Sequence, residues 1–287
     1  MKQKLKYLFA CTTKNIRREG FSCPSCGCSN ATVVSRKYLV TALRRCESCQ
    51  LLFRTPTTNS EENASFYQEE YTQGFTTDCP SEEVLSKYLE RGFSGGEKDY
   101  SNYIDVVLAG GGKEGGRLFD FGCSWGYGSW QFAQKGFDVE SFEISAPRAN
   151  FAKSKLGVRV HSSLSDVKGQ FDIFFSAHVL EHVPSVRNSI EFGMDLLKPR
   201  GLFVAFTPNG SEEYRDRESE SWNKLWGLVH PNLLDKKFYE KAFADKSLLL
   251  SSAPYCMPEI TKWKTDDSFD KTKSKLDGSE LLVLVKK

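Results

Sequence analysis

From residue 117 onward, short apolar runs alternate with stretches of helical spacing. Leu118, Phe119 and Phe121 form one run, Phe171 to Ser176 is nearly all apolar, and G-L-F-V-A-F-T-P-N at 201–209 is a third. Apolar runs without polar alternation suit central parallel strands buried on both faces. Helical segments lie between them: one opening after Gly126, A-P-R-A-N-F-A-K-S-K-L-G ended by Gly157, and Pro184–Leu197 with Leu196 and Leu197 on its buried side. V-R-V-H at 158–161 reads as a short strand. The alternation predicts an α/β fold, a Rossmann-like, doubly wound and mostly parallel sheet with right-handed crossovers. Ligands of such sheets sit beyond the carboxyl ends of the strands. That gathers Gly122–Gly128, Glu143, Ser163, Leu164, Ala177–His182 and Thr207–Asn209 around one crevice.

Ahead of the sheet, residues 57–116 read as a helical connector. Ser60 with Phe66, Tyr67 and Tyr71 suggests a short amphipathic helix, followed by a loop over 72–80. S-E-E-V-L-S-K-Y-L-E-R-G reads as a helix capped by Ser81, with Glu82 and Glu83 at its positive end and Gly92 closing it. A further helical stretch at 97–108 leads to Gly110–Gly112. These helices are expected to cover the ligand mouth, with Tyr67, Tyr71 and Tyr103 either lining it or packed in the core.

The most informative stretch is R-L-F-D-F-G-C-S-W-G-Y-G-S-W-Q-F-A-Q-K-G-F-D-V-E-S-F-E-I-S at 117–145. It reads as strand, glycine turn, helix, strand. Glycines at 122, 126 and 128 let the backbone turn sharply and approach a ligand without a Cβ in the way. Glu143 closes the second strand about twenty residues on, where a carboxylate can take a ribose hydroxyl pair. On these residues alone a nicotinamide or flavin site remains open.

Composition narrows the class without naming it. The chain has 287 residues, 39% hydrophobic and 26% charged, with net charge +2. That is a soluble globular balance with no overall pull toward nucleic acid or an anionic surface. No apolar run approaches the ~20 residues of a membrane span. The opening M-K-Q-K-L-K-Y-L-F-A-C is too short in apolar residues for an export signal. Residues 1–20 therefore read as a basic tail or short helix, and the chain as cytoplasmic.

Four of the nine cysteines form two C-x-x-C pairs, Cys23/Cys26 and Cys46/Cys49, nineteen residues apart. Two such turns supply the tetrahedral four-thiolate set that Zn²⁺ prefers, with no open position, so the site is expected to be structural. Between the pairs, A-T-V-V-S-R-K-Y-L-V-T-A-L-R-R reads as two short strands of a zinc ribbon covering 21–56. Cys28 is a less suitable ligand.

D-F-G-C-S-W-G, the acid after the second strand, F-D-I-F-F-S-A-H-V-L-E-H-V and L-L-K-P-R-G-L-F-V-A-F-T-P-N together resemble class I S-adenosylmethionine-dependent methyltransferases. The N-terminal cysteine pattern resembles a zinc ribbon that precedes this domain in some members. The resemblance places the methyltransferase domain at 117–287. It implies that Asp120, Gly122, Ser124 and Gly126 shape the methionyl part of the cofactor site, that Glu143 holds the ribose, that Ser163 or Leu164 edges the adenine, and that Ala177 and His178 flank the homocysteine side. Ser124 departs from the glycine usual at its place.

His182 and His230 are the candidate bases, because imidazole titrates near working pH. His182 reads equally as a helix-start residue holding its loop, and His161 ends a strand with no partner in view. His178, Glu181 and His182 form H-x-x-E-H, and some relatives in the ubiquinone-type group bind a divalent ion with acidic and histidine residues at similar positions, although this chain has histidine where they carry an acid. Tyr214, Trp222 and Trp226 lie in a mixed-charge insertion that suits either a sugar ring or a lid packed on its own domain. The favoured reading is transfer of a methyl group to a hydroxyl of a small molecule or glycan, since the chain lacks an N/D-P-P-Y-type motif of nucleic-acid amino-methyltransferases. The alternatives are an RNA methyltransferase gripping its substrate through Arg36, Lys37, Arg44 and Arg45 on the ribbon, and a non-catalytic cofactor-binding scaffold.

Overall fold

The computed structural model describes residues 2–58, Glu62, 78–265 and 275–287. The helix expected around Ser60–Tyr71, with Tyr67 and Tyr71, lies outside the described residues. Helix α1 (Lys2–Arg17) leads into strands β1 (Ala31–Lys37), β2 (Thr41–Cys46) and β3 (Leu52–Thr55). Helices α2 (Glu82–Glu90) and α3 (Ser101–Gly110) precede β4 (Arg117–Phe121), α4 (Tyr127–Gln134), β5 (Asp138–Phe142), α5 (Ala146–Leu156) and β6 (Arg159–His161). Then come β7 (Phe171–Ala177), α6 (Val186–Leu196) and β8 (Leu197–Pro208). The chain continues through α7 (Glu212–Arg217), α8 (Ser219–Lys224), β9 (Asn232–Leu233), α9 (Lys236–Ala242), β10 (Ser247–Ser252), α10 (Met257–Thr265) and β11 (Glu280–Lys286).

Seven strands form the main sheet in the order β10-β11-β8-β7-β4-β5-β6. The five from β8 to β6 run parallel, as the sequence predicts, and β11 inserts antiparallel against β8. Alternate side chains supply two layers: Phe119, Phe174 and Phe203 pack on one face, and Leu118, Ile173, Phe175, Val204 and Phe206 on the other. Both faces are dry, which is why these strands show no polar alternation. The antiparallel insertion has a consequence for function. It pairs Glu280 with Pro208 and so delivers the first residue of β11 to the ligand-binding edge of the sheet.

The N-terminal segment is folded rather than a free tail. Tyr7 lies under the buried Arg54 guanidinium, 5.2 Å from ring to Cζ, and Asn15 Nδ2 donates to Val40 O at 2.8 Å. The ribbon carries a third strand beyond the two expected, and the sheet order β1-β2-β3-β9 shows a fourth contributed from residues 232–233. The caps follow their residue types: Ser81 Oγ accepts from Val84 N–H, and Asp235 Oδ1 accepts from Phe238 N–H. The second cap places the helix start at Lys236. No helix among the described residues is long and apolar enough to cross a membrane.

Candidate active site

The glycine turn follows β4 directly. Gly122 and Gly126 both have φ +89°, and a Cβ at Gly122 would lie 2.4 Å from Val179 Cγ2. Here a side chain fails on both conformation and space. Ser124, at the place where glycine is usual, has φ +52°, the left-handed region glycine favours. Its backbone N–H donates to Glu143 Oε2 at 2.9 Å, while Ser145 N–H donates to Glu143 Oε1 at 2.7 Å. The carboxylate is thereby fixed at the lip of the turn; burial raises its pKa, and these N–H groups oppose the rise.

Behind the turn, Ser129 Oγ donates to Asp120 Oδ2 at 2.6 Å and Ser141 Oγ donates to Ser129 Oγ at 3.0 Å. Asp120 is buried, and burial pushes its pKa up to about 7. Trp125 packs with Phe93 and Tyr88, pinning α2 over this side of the crevice. Ser163 and Leu164 sit after β6 at the same edge, the serine exposed and the leucine half-buried.

Beyond β7 stands a polar cluster that sequence reading identified only in part. His178 follows Ala177 with φ +56°, and its Nε2 lies 2.5 Å from Glu280 Oε2. Tyr103 Oη–H donates to Glu280 Oε2 at 2.7 Å, and Tyr255 Oη–H donates to Oε1. Burial opposes charge on His178, but Glu181 and Glu280 outweigh it and raise its pKa to about 10. Glu280 and Tyr255 carry no motif; only the return of an antiparallel strand to this edge brings them in.

Next to it, Glu181 is 1% exposed. Its nearest ring nitrogens are His178 Nδ1 at 3.5 Å and His182 Nε2 at 3.7 Å, too long for full hydrogen bonds. The His182 and His230 rings meet edge to face with centroids 4.6 Å apart. His182 Nδ1 lies 2.9 Å from Val229 O and His230 Nδ1 lies 2.8 Å from Leu225 O. A carbonyl only accepts, so Nδ1–H is the donor in each ring and Nε2 carries the lone pair. Burial lowers the His182 pKa to about 4 despite the Glu181 carboxylate. Ligand atoms of Glu181, His182 and His230 lie within 4.8 Å of one another, a set able to hold a divalent cation. The two candidate bases, 48 residues apart in sequence, are thus neighbours.

One expectation is corrected and two pairs of alternatives are narrowed. His161 does have a partner, its Nε2 lying 3.0 Å from Glu140 Oε2. Tyr214, Trp222 and Trp226 are buried against Leu43, Leu52 and Leu233, so these aromatics form the seam with the ribbon rather than an exposed sugar platform. The basic residues of the ribbon are also largely engaged within the chain. Lys37 Nζ donates to Trp226 O at 2.5 Å and lies over its ring, Arg44 donates to Thr55 Oγ1 and Ala31 O, and Arg45 pairs with Asp235 at 2.7 Å.

In the ribbon, Cys23 Sγ lies 3.6 Å from Cys49 Sγ, and Cys26 Sγ 3.5 Å from Cys46 Sγ. All four sulfurs fall within 4.8 Å of one another. The turns match: Gly27 N–H donates back to Cys23 O and Gln50 N–H to Cys46 O, with Gly27 and Gln50 both at positive φ. Cys28 donates to Asn30 O and stands outside the set.

The fold is that of class I S-adenosylmethionine-dependent methyltransferases. Residues 97–246, just over half of the chain, match the family model described as Methyltransferase domain, and the chain belongs to that family. It is 29% identical over 116 residues to a ubiquinone biosynthesis O-methyltransferase of Shewanella halifaxensis, covering 37% of this chain and 48% of that one. It is 33% identical over 103 residues to the protein of the same description from Nitrobacter winogradskyi, covering 32% and 39%. The chain thus spans less than half the length of these relatives. Its fold is similar to the plantazolicin methyltransferase BamL in complex with a triazolic desmethylPZN analog and SAH, with TM-score 0.51, 13% identity, and 78% and 94% of the two chains covered. The plantazolicin methyltransferase BpumL in complex with a pentazolic analog and SAH gives 0.50, 11%, 78% and 94%.

Proposed function

We propose that this enzyme methylates a hydroxyl of a small molecule or glycan, using the Glu181–His182–His230 cluster to take up the hydroxyl proton. The observation that carries this reading is the convergence of the three residues beyond the end of β7, where Val179 packs against Gly122 of the glycine turn. S-adenosylmethionine supplies the electrophilic methyl group when bound. Asp120, Gly122, Ser124 and Gly126 shape the site for its methionyl part, Glu143 takes the ribose hydroxyls on lone pairs its backbone donors leave over, Ser163 and Leu164 edge the adenine, and Ala177 and His178 flank the sulfur. His178, held as an imidazolium by two carboxylates, acts as a donor and not as a base. His182 Nε2 carries the lone pair that accepts a proton, and the adjacent Glu181 stabilises the imidazolium that forms. Placement supplies most of the acceleration.

The internal engagement of Lys37, Arg44 and Arg45 favours this reading over RNA binding by the ribbon. The four cysteines fit a structural Zn²⁺: four buried or half-buried thiols at mutual ligand spacing. A second reading of the histidine cluster has one observation in its favour, since both Glu181 oxygens lack a full hydrogen bond. A divalent cation there would make the trio ligands rather than a base.

The test is incubation of the full chain and labelled S-adenosylmethionine with small-molecule, glycan and RNA fractions of a cell extract. Label in a small molecule or glycan, lost in His182→Gln, supports the reading; label in RNA overturns it. Loss of turnover on chelation, restored by Mg²⁺ with the cysteine site still loaded, would assign the cluster to a metal. Glu143→Ala should weaken cofactor binding at least about tenfold by calorimetry, the loss of one carboxylate's hydrogen bonds to a buried ligand.

A further inference from the structure

Large apolar side chains left in solvent are concentrated at one end of the molecule. Nine are exposed among the described residues, and six of these, Leu5, Phe9, Ile16, Val33, Tyr38 and Leu39, fall within the first 39 positions. The most exposed are Leu39 at 98%, Ile16 at 79% and Phe9 at 76%. On α1, Leu5, Phe9 and Ile16 fall within about 40° of arc at 100° per residue, so they form one stripe. Tyr7, Cys11 and Asn15 lie on the other side and fix the helix to the ribbon: Cys11 is buried, Tyr7 packs on Arg54, and Asn15 bonds Val40 in the turn that carries Leu39. The stripe is therefore held outward by tertiary contacts.

Charge is segregated in the same place. Residues 1–18 contain Lys2, Lys4, Lys6, Lys14, Arg17 and Arg18 and no acid, which gives +6. With a net charge of +2 for the whole chain, the remaining 269 residues carry −4. Lys14 is used internally, on Thr57 O and Glu62, and Arg17 and Arg18 are exposed.

We propose that α1 is an in-plane docking helix for an anionic lipid surface, with Leu5, Phe9 and Ile16 entering the headgroup–acyl boundary and the basic residues meeting lipid phosphates. A 16-residue helix is about 24 Å long, and one stripe along it offers far less than the ~800 Å² per partner of a stable protein interface. Isolated, strongly protruding side chains suit a deformable surface instead, and a positive flank suits anionic lipid. The inference is independent of the acceptor and base assignments above.

The experiment is co-sedimentation of the full chain with vesicles of phosphatidylcholine alone and of phosphatidylcholine with phosphatidylglycerol. Binding is expected only to the anionic vesicles, reduced by high salt, and lowered at least about tenfold in Phe9→Glu/Ile16→Glu. Both positions are exposed, so the melting temperature of the variant should match the parent, and Leu39→Asp gives a second, weaker loss outside the helix. Equal binding to both vesicles, or to neither, overturns the proposal. So does a concentration-dependent dimer that the Phe9→Glu/Ile16→Glu change dissolves, because that assigns the stripe to a second copy.

Discussion

Arg45 Nη2 lies 2.7 Å from Asp235 Oδ2, joining the cysteine ribbon to the segment that carries His230. The aspartate is 2% exposed and the arginine side chain 14%. The same carboxylate caps α9, and β9 pairs with β3 immediately beside it. The ribbon and the wall of the candidate site are one structure, in which a single carboxylate serves as ion-pair partner and helix cap.

Removing one partner of a pair this buried leaves an uncompensated charge, at a cost of about 3–5 kcal/mol. Arg45→Ala should destabilise by that order in chemical denaturation. Asp235→Asn can retain the cap and lose the charge, so it should fall below Asp235→Ala by about 1 kcal/mol, the worth of an N-cap. Hydrogen exchange of amides 230–235 should rise in all three variants. Unchanged exchange there would show that the seam does not depend on this pair.

The cysteine site should carry about one Zn²⁺ per chain by metal analysis, because two matched turns close one tetrahedron. Cys46→Ser should lose the metal and, through β3 and β9, raise exchange at Arg54, whose N–H donates to Pro231 O across the seam. A metal-free parent protein of undiminished stability would remove the zinc assignment. A Cys46→Ser protein that keeps protection at Arg54 would separate metal binding from the seam.

The parallel strands and the glycine turn were readable because their signals are local: Phe171–Ala177 is nearly all apolar, and Gly122 and Gly126 are required by space and φ alike. The four cysteines were readable because their spacing encodes their geometry. The β1–β2 turn was not, since Tyr38 and Leu39 both adopt positive φ where glycine or asparagine would have announced it. Glu280 reaches His178 through the antiparallel register of β11 against β8, and nothing in the local sequence encodes that pairing. The meaning of Trp222 and Trp226 depended on a ribbon almost two hundred residues earlier. Local chemistry located the glycine-turn side of the crevice, while long-range register assembled the side beyond β7.

Gly128→Ala tests the packing at the start of α4. A Cβ there would lie 2.2 Å from Tyr100 Cε1, and Tyr100 is held edge-on by Tyr103, Tyr127 and Phe132. Alanine in a helix gains up to about 1 kcal/mol over glycine, whereas overpacking costs about 1–3 kcal/mol. The clash should win, with a net loss of about 1–2 kcal/mol in denaturant unfolding and weaker binding of S-adenosylmethionine as the turn shifts. A stabilised Gly128→Ala protein would show that Tyr100 moves aside freely.

The His178–Glu280 pair sets a pH dependence whose sign follows from the shifts. His178 has its pKa raised from an ordinary 6.5 to about 10, so its contribution is complete below 6.5 and is lost as pH climbs toward 10. Burial would raise Glu280, but His178, Tyr255 and Tyr103 bring it below its ordinary 4.5, so its contribution is present above 4.5 and lost as pH falls below it. Glu181 also faces the imidazole and retains part of the effect when Glu280 is neutralised. The stability difference between the parent and Glu280→Gln should therefore be greatest between about pH 4.5 and 6.5 and shrink steadily above that. The His178 ring proton, followed by NMR, should titrate far above the usual imidazole range in the parent and move down in Glu280→Gln. Because a His178 that keeps its proton through neutral pH cannot be the base there, His178→Gln should leave the acid limb of the turnover profile in place, whereas His182→Gln should remove it. Loss of that limb in His178→Gln would reverse the two assignments.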